Sequence, residues 1–70
     1  MIVTKNDKVL LEVYVDYEQT EEKIMDYKEF KKYDDNLPSH FLIQEETANA
    51  IHYTSLNENE ETVDIHMSKL

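Results

Sequence analysis

The sequence predicts an α+β domain in which an antiparallel sheet of four to five strands, in ββαβββ order, packs on one amphipathic helix. Three observations carry this. Apolar residues occupy every second position over Val9–Tyr17 and recur with strand-like spacing in three segments near the C-terminal end. Between them lies a stretch rich in Glu and Lys whose large apolar residues fall at helical spacing. Glycine is absent, so Asn and Asp must supply the turns, and Asn6-Asp7, Asp35-Asn36, Asn49 and Asn57/Asn59 divide the chain at suitable intervals.

The first element expected is a hairpin, "MIVTKNDKVLLEVYVDY", turning at Asn6-Asp7. Its second strand places Val9, Leu11, Val13, Val15 and Tyr17 on the core side and Leu10, Glu12, Tyr14 and Asp16 on the other. A helix is expected from Thr20 to Tyr33, with Thr20 as N-cap and Glu21 and Glu22 in its first turn. Ile24, Tyr27 and Phe30 then form the buried stripe, flanked by Lys23 and Lys31, while Glu22, Asp26 and Glu29 gather with Tyr33 opposite. "DDNLPS" ends the helix, because Pro38 disfavours helical backbone at Leu37.

Three strands follow, "HFLIQEE", "AIHYTSL" and "TVDIHMSKL". Phe41 and Ile43, then Ile51, Tyr53 and Ser55, then Val63, Ile65 and Met67 face the helix. Keeping the last two apolar sets on one face requires an odd-length loop at "NENEE". The far face carries Val3, Leu10, Tyr14, Leu42, Thr54 and Leu56, more apolar than a fully solvated face requires. Val3, Leu10 and Leu42 are the candidates for self-association.

At 70 residues the chain forms one small acidic domain, and a chain of this size buries only about 60% of its unfolded surface. Cysteine is absent, which removes disulfides, thiolate metal sites and cysteine nucleophiles. Absence of glycine removes the P-loop and the dinucleotide fingerprint. No apolar run approaches the length of a bilayer span and no signal peptide opens the chain. The expectation is a soluble cytoplasmic protein, in the host-cell cytoplasm if phage-encoded, with no membrane association and no cofactor.

Sixteen acids against seven lysines give a net charge of −9. Such a surface repels phosphates, so direct nucleic-acid binding is not expected, and it attracts basic partners. His52 and His66 are out of phase with their strands' core residues, and in one register of the last hairpin they lie directly opposite, with Asp64 on the same face. Two imidazoles and a carboxylate suit zinc chemistry, but no fourth ligand is evident and no metal is expected. Ser39 and His40 are neighbours on a strand and cannot face each other, so no nucleophile–base pair is found. The chain is read as a non-enzyme.

The residues expected to bind a partner are Glu12, Tyr14, Asp16, Glu22, Asp26, Glu29, Tyr33, Asp34 and Asp35. Here carboxylates surround tyrosines, which offer large contact area at low entropic cost. In size, acidity and lack of an active-site motif, the chain resembles in type the phage-encoded inhibitors that mimic nucleic acid. The resemblance implies a protein that blocks the basic channel of a CRISPR effector, restriction enzyme or other nucleic-acid enzyme. Richness in Lys, Ile, Asn, Glu and Tyr without Arg or Gly fits an AT-rich phage or plasmid gene. Two other readings share the composition. One is an antitoxin or immunity protein covering a basic toxin. The other is a structural or adaptor subunit, a homodimer included, that associates through its outer sheet face.

Overall fold

A computed structural model, describing residues 1–70, contains five strands and one helix in ββαβββ order. They are β1 (Val9–Val15), β2 (Glu18–Met25), α1 (Tyr27–Asp35), β3 (Leu42–Glu46), β4 (Ala50–Leu56) and β5 (Thr62–Lys69). All five strands join one antiparallel sheet in the order β2-β1-β5-β4-β3. The α+β class, the single helix and the three C-terminal strands are as the sequence predicts. The N-terminal third is not.

The difference begins at Asp16-Tyr17. Both residues have positive φ, 52° and 67°, the backbone of a two-residue I′ turn whose twist matches that of the strands it joins. The chain therefore returns along β1, and Leu11 pairs with Lys23, Glu12 with Glu22 and Val13 with Glu21. Thr20 bulges out of this ladder and its hydroxyl donates to the Val13 carbonyl at 3.3 Å. The expected helix over Thr20–Tyr33, capped by Thr20, is thus corrected to a strand followed by a shorter helix. Glu, Gln and Lys favour helix intrinsically, but one side of β1 is open for pairing and tertiary pairing overrides the preference.

Helix α1 starts where a better cap exists. The Asp26 side chain accepts from the Glu29 backbone N–H at 2.8 Å, and Asp26-x-x-Glu29 has the spacing of a capping box. Only Phe30 of the helix is buried. The expected stripe of Ile24, Tyr27 and Phe30 does not exist as one face, because Ile24 lies on the strand with 60% of its surface exposed. Nor do Lys23 and Lys31 flank a common stripe, since they belong to different elements. The helix ends at Asn36, whose N–H reaches the Lys32 carbonyl at 3.2 Å, and Pro38 follows as expected.

Residues 1–8 form no strand, so the hairpin at Asn6-Asp7 is also corrected. Asp7 instead closes a turn on Thr4: its N–H donates to the Thr4 carbonyl at 3.0 Å, and its carboxylate accepts from the Thr4 N–H and hydroxyl. The bond from the Thr4 backbone, aided by the Thr4 hydroxyl and Lys69, holds the Asp7 carboxyl below its ordinary range. Before that turn, the Ile2 N–H donates to Ala48 at 3.0 Å and the Met1 ammonium meets Glu46. Met1 and Val3 therefore pack on the core. Val3, expected on the outer face, is on the inner side.

Parity serves better in the C-terminal half. Asn57 N–H bonds to the Glu61 carbonyl at 3.0 Å, leaving a three-residue loop with Glu60 at φ 62°. This is the odd-length connection needed to keep Ile51 opposite Met67 and Tyr53 opposite Ile65. The core is Val9, Leu11, Met25, Phe30, Ile51, Ile65 and Met67, all on one side of the sheet or on the helix that covers it. A nine-residue helix cannot cover five strands. A groove of about 670 Å³ is left between α1 and the sheet, floored by Val13, Val63 and Ile65 and walled by Tyr33, Leu37 and Phe41. No helix is long and apolar enough to cross a membrane.

Candidate functional site

Partners across an antiparallel ladder point to the same side, so the registers define the outer face without ambiguity. One row runs across all five strands: Glu45, His52, His66, Glu12 and Glu22. The next row is Leu42, Thr54, Asp64, Tyr14 and Gln19. On the other flank lie Ala50, Ser68, Leu10 and Ile24. Glu12, Glu22, Glu45 and Asp64 thus share this face, and none of these rows contains a lysine. Lys23 and Lys69 have inner parity, Lys28, Lys31 and Lys32 are on the helix, Lys5 precedes β1, and Lys8, whose carbonyl accepts from Leu70 N–H, has outer parity just before β1. Acids lie on both sides of the sheet, with Glu18, Glu21 and Glu46 at inner parity, whereas the lysines within strands are all at inner parity.

The centre of the face is a connected aromatic and carboxylate cluster. The His52 and His66 rings stack with centroids 3.9 Å apart and planes 18° apart. Tyr14 stands edge-on to His66 at 5.5 Å, and its hydroxyl donates to Glu12 at 3.1 Å. His52 Nε2 lies 2.8 Å from Asp64 Oδ1, and a carboxylate there assigns the proton to that nitrogen. Asp64 is the one buried polar residue, at 9% exposure, and this bond satisfies it.

Titration follows from these contacts. Burial, then the neighbouring His52, lowers the His66 pKa, against the opposing pull of Asp64 and Glu12. The hydrogen bond to Glu12, with burial, raises that of Tyr14. Glu12 and Glu22 are direct cross-strand partners of like charge, an arrangement that costs stability instead of supplying it.

The histidines meet in the register that the metal reading required, but they stack. Stacked rings aim their lone pairs along parallel planes instead of at one point, and no group of three or more His, Asp or Glu is placed to hold a metal ion. Neither imidazole is hydrogen-bonded to a hydroxyl. The arrangement offers acceptors and flat rings for recognition.

The nine residues expected to bind a partner divide between two layers. Glu12, Tyr14 and Glu22 come together on the outer face, and Asp16 sits at the turn beyond β1. The other five belong to the helix layer. Asp26 caps α1, and Glu29 lies 3.9 Å from Lys23. Asp34 accepts from the Tyr53 hydroxyl at 2.8 Å, and Asp35 is exposed at the helix end. Tyr33, expected to point outward among the acids, is half-buried in the groove wall, and burial raises its pKa.

Of the self-association candidates, Leu10 and Leu42 lie on the outer face. Leu42 is 65% exposed, and Ile24, paired with Leu10, joins them. Sequence reasoning missed Ile24, Glu45 and the recognition role open to His52, His66 and Asp64. Strand parity was the signal for the histidines and Asp64, whereas Ile24 and Glu45 follow a turn and a bulge that leave no such signal. Comparison with protein-family models, curated proteins and solved structures finds no match to this chain.

Proposed function

We propose that this chain is an acidic protein-binding inhibitor that docks a basic partner on its outer sheet face and so occupies that partner's nucleic-acid-binding site. The observation that supports the reading is the grouping of Glu12, Glu22, Glu45 and Asp64 around Tyr14 and the stacked imidazoles, with no lysine among the strand residues of that face. Carboxylates spaced across a flat sheet can take the places of phosphates, and the rings supply area against aliphatic stems or guanidinium planes. The unfavourable Glu12–Glu22 pairing argues that these acids serve something other than the fold. An antitoxin covering a basic toxin would use the same surface, with a toxin in place of a nucleic-acid enzyme.

Affinity capture from bacterial extract, washed at low and high salt, tests the reading. Capture should weaken steeply with salt, be displaced by added DNA or RNA, and be lost in the variant carrying Glu12→Lys, Glu22→Lys and Glu45→Lys. Capture that charge reversal leaves unchanged overturns it. An adaptor reading is favoured by the exposed Leu42 and Leu56, 65% and 61% accessible at one edge of the face. Loss of capture in Leu42→Asp with the acids intact would select that reading.

A further inference from the structure

The two edges of the sheet are finished differently. β3 is five residues long, carries a bulge between Ile43 and Glu45, and ends under the N-terminal segment, where Met1 meets Glu46 and Ile2 bonds to Ala48. These are ways of closing an edge to further pairing. β2 is eight residues long and pairs only with β1. Seven of its eight residues are exposed, so a row of backbone donors and acceptors is open to a further strand.

The side chains along β2 select what could pair there. Glu18 and Glu21 point to the inner side and Glu22 to the outer. The only cation on the strand is Lys23, which already faces Glu29 at 3.9 Å. A second copy adding through β2 would bring together two strands that each carry three glutamates and one lysine, a pairing of like net charge. A basic strand meets acids on both faces. On the inner side it also borders the groove, whose rim is Glu21, Lys23, Glu29 and Lys32 and whose floor is Val13, Val63 and Ile65. Lysine or arginine stems on an added strand can lie over β2 and bring their heads to the groove's rim at Glu21 and Glu29.

From this geometry we infer that β2 is a docking edge for an extended, basic segment of the partner, which adds as a sixth strand and brings its inward side chains to the β2 rim of the groove. The inference rests on the reading that the partner is basic. It adds that recognition includes main-chain pairing at the edge as well as charge on the face.

The probe is a fluorescent peptide of alternating Lys and Val, with a control of equal composition interrupted by proline. Binding is followed by anisotropy, and its site by amide hydrogen exchange and NMR shifts of the whole chain. The expected result is protection of backbone amides across Glu18–Met25, with the proline control at least ~10-fold weaker, since a lost strand addition removes several main-chain hydrogen bonds. Glu18→Lys with Glu21→Lys should weaken the peptide by a similar factor, whereas Glu58→Lys, exposed in the loop between β4 and β5, should change it by less than ~3-fold. Circular dichroism checks that the variants remain folded.

Equal binding of the two peptides, with shifts confined to the Glu12, His52 and His66 row, overturns the edge while leaving the acidic face standing. No saturable binding of either peptide also overturns the edge, and the face is then judged by its own charge-reversal experiment. Protection of β2 amides that appears without peptide and grows with protein concentration overturns it in favour of pairing between copies.

Discussion

The two faces of this sheet are made from alternating residues of the same strands, yet they are organised by opposite rules. Leu11 is fully buried and meets Met67, while its neighbour Leu10 points outward and meets Ile24 and Ser68. On the inner side, side chains are chosen to fill space between sheet and helix. On the outer side, carboxylates, imidazoles and a tyrosine hydroxyl form a bonded surface array that includes a like-charge pair costly to the fold. The contrast separates a side that holds the buried apolar core from a side that holds a polar array, and on the proposed reading only the second serves recognition.

The largest effect should come from the inner side. Leu11→Ala is expected to cost about 2–5 kcal/mol, enough to unfold much of a small domain, against about 1 kcal/mol or less for Leu10→Ala. Urea denaturation of the two variants measures the asymmetry directly, and equal losses would break the comparison. Next is Asp64→Ala, which strips a nearly buried array of its central acceptor and leaves His52 without its partner. A loss of about 1–3 kcal/mol is expected in the same assay.

Tyr53→Phe removes the bond from the sheet to Asp34 on the helix and should cost about 1 kcal/mol. Burial, followed by that bond, pushes the Tyr53 pKa up from 10.0 to about 12. Its contribution is therefore complete below pH 10.0 and is lost as pH rises through about 12. Denaturation across that alkaline range should show the decline in the parent and a shallower one in Tyr53→Phe. On the outer face the sign is reversed. The His66 pKa lies below 6.5, so the unfolded chain takes up a proton first and stability falls as pH drops below 6.5. His66→Gln should flatten that acid limb.

The smallest effect on stability belongs to Glu22→Lys, which turns a like-charge cross-strand pair into an opposite one. A gain of a few tenths of a kcal/mol is expected from thermal melts, alongside weaker capture of a basic partner. A variant that is both more stable and less able to bind would sharpen the division between faces more than any destabilising change.

What could be read in advance follows the same division. The strand bearing Val9, Leu11 and Val13 and the strands β4 and β5 have one side buried, so their alternation is visible, as is the odd-length loop at Asn57–Glu61. β2 buries only Met25 and exposes every other side chain, so no alternation was imposed on it and its helix-favouring residues suggested the wrong element. Two local signals pointed the right way, the Asp26-x-x-Glu29 cap and the acceptance of left-handed backbone by Asp16. Tyr17, an aromatic residue at φ 67°, hid the turn. At the site, facing of His52 and His66 was legible from parity. Separation of Glu22 from Asp26 and Glu29 was not, because it depended on that turn.

The strand order also governs how the molecule is assembled in time. β1–β2 and β4–β5 are local hairpins that can form early, but neither encloses the core alone. The core is sealed when Val9–Val15 meets Val63–Lys69 at the middle of the sheet, a closure across most of the chain length whose entropy is lost before its contacts form. During synthesis the central strand is the last of the five to emerge. Until then the edge of β1 that pairs with β5 has no strand beside it.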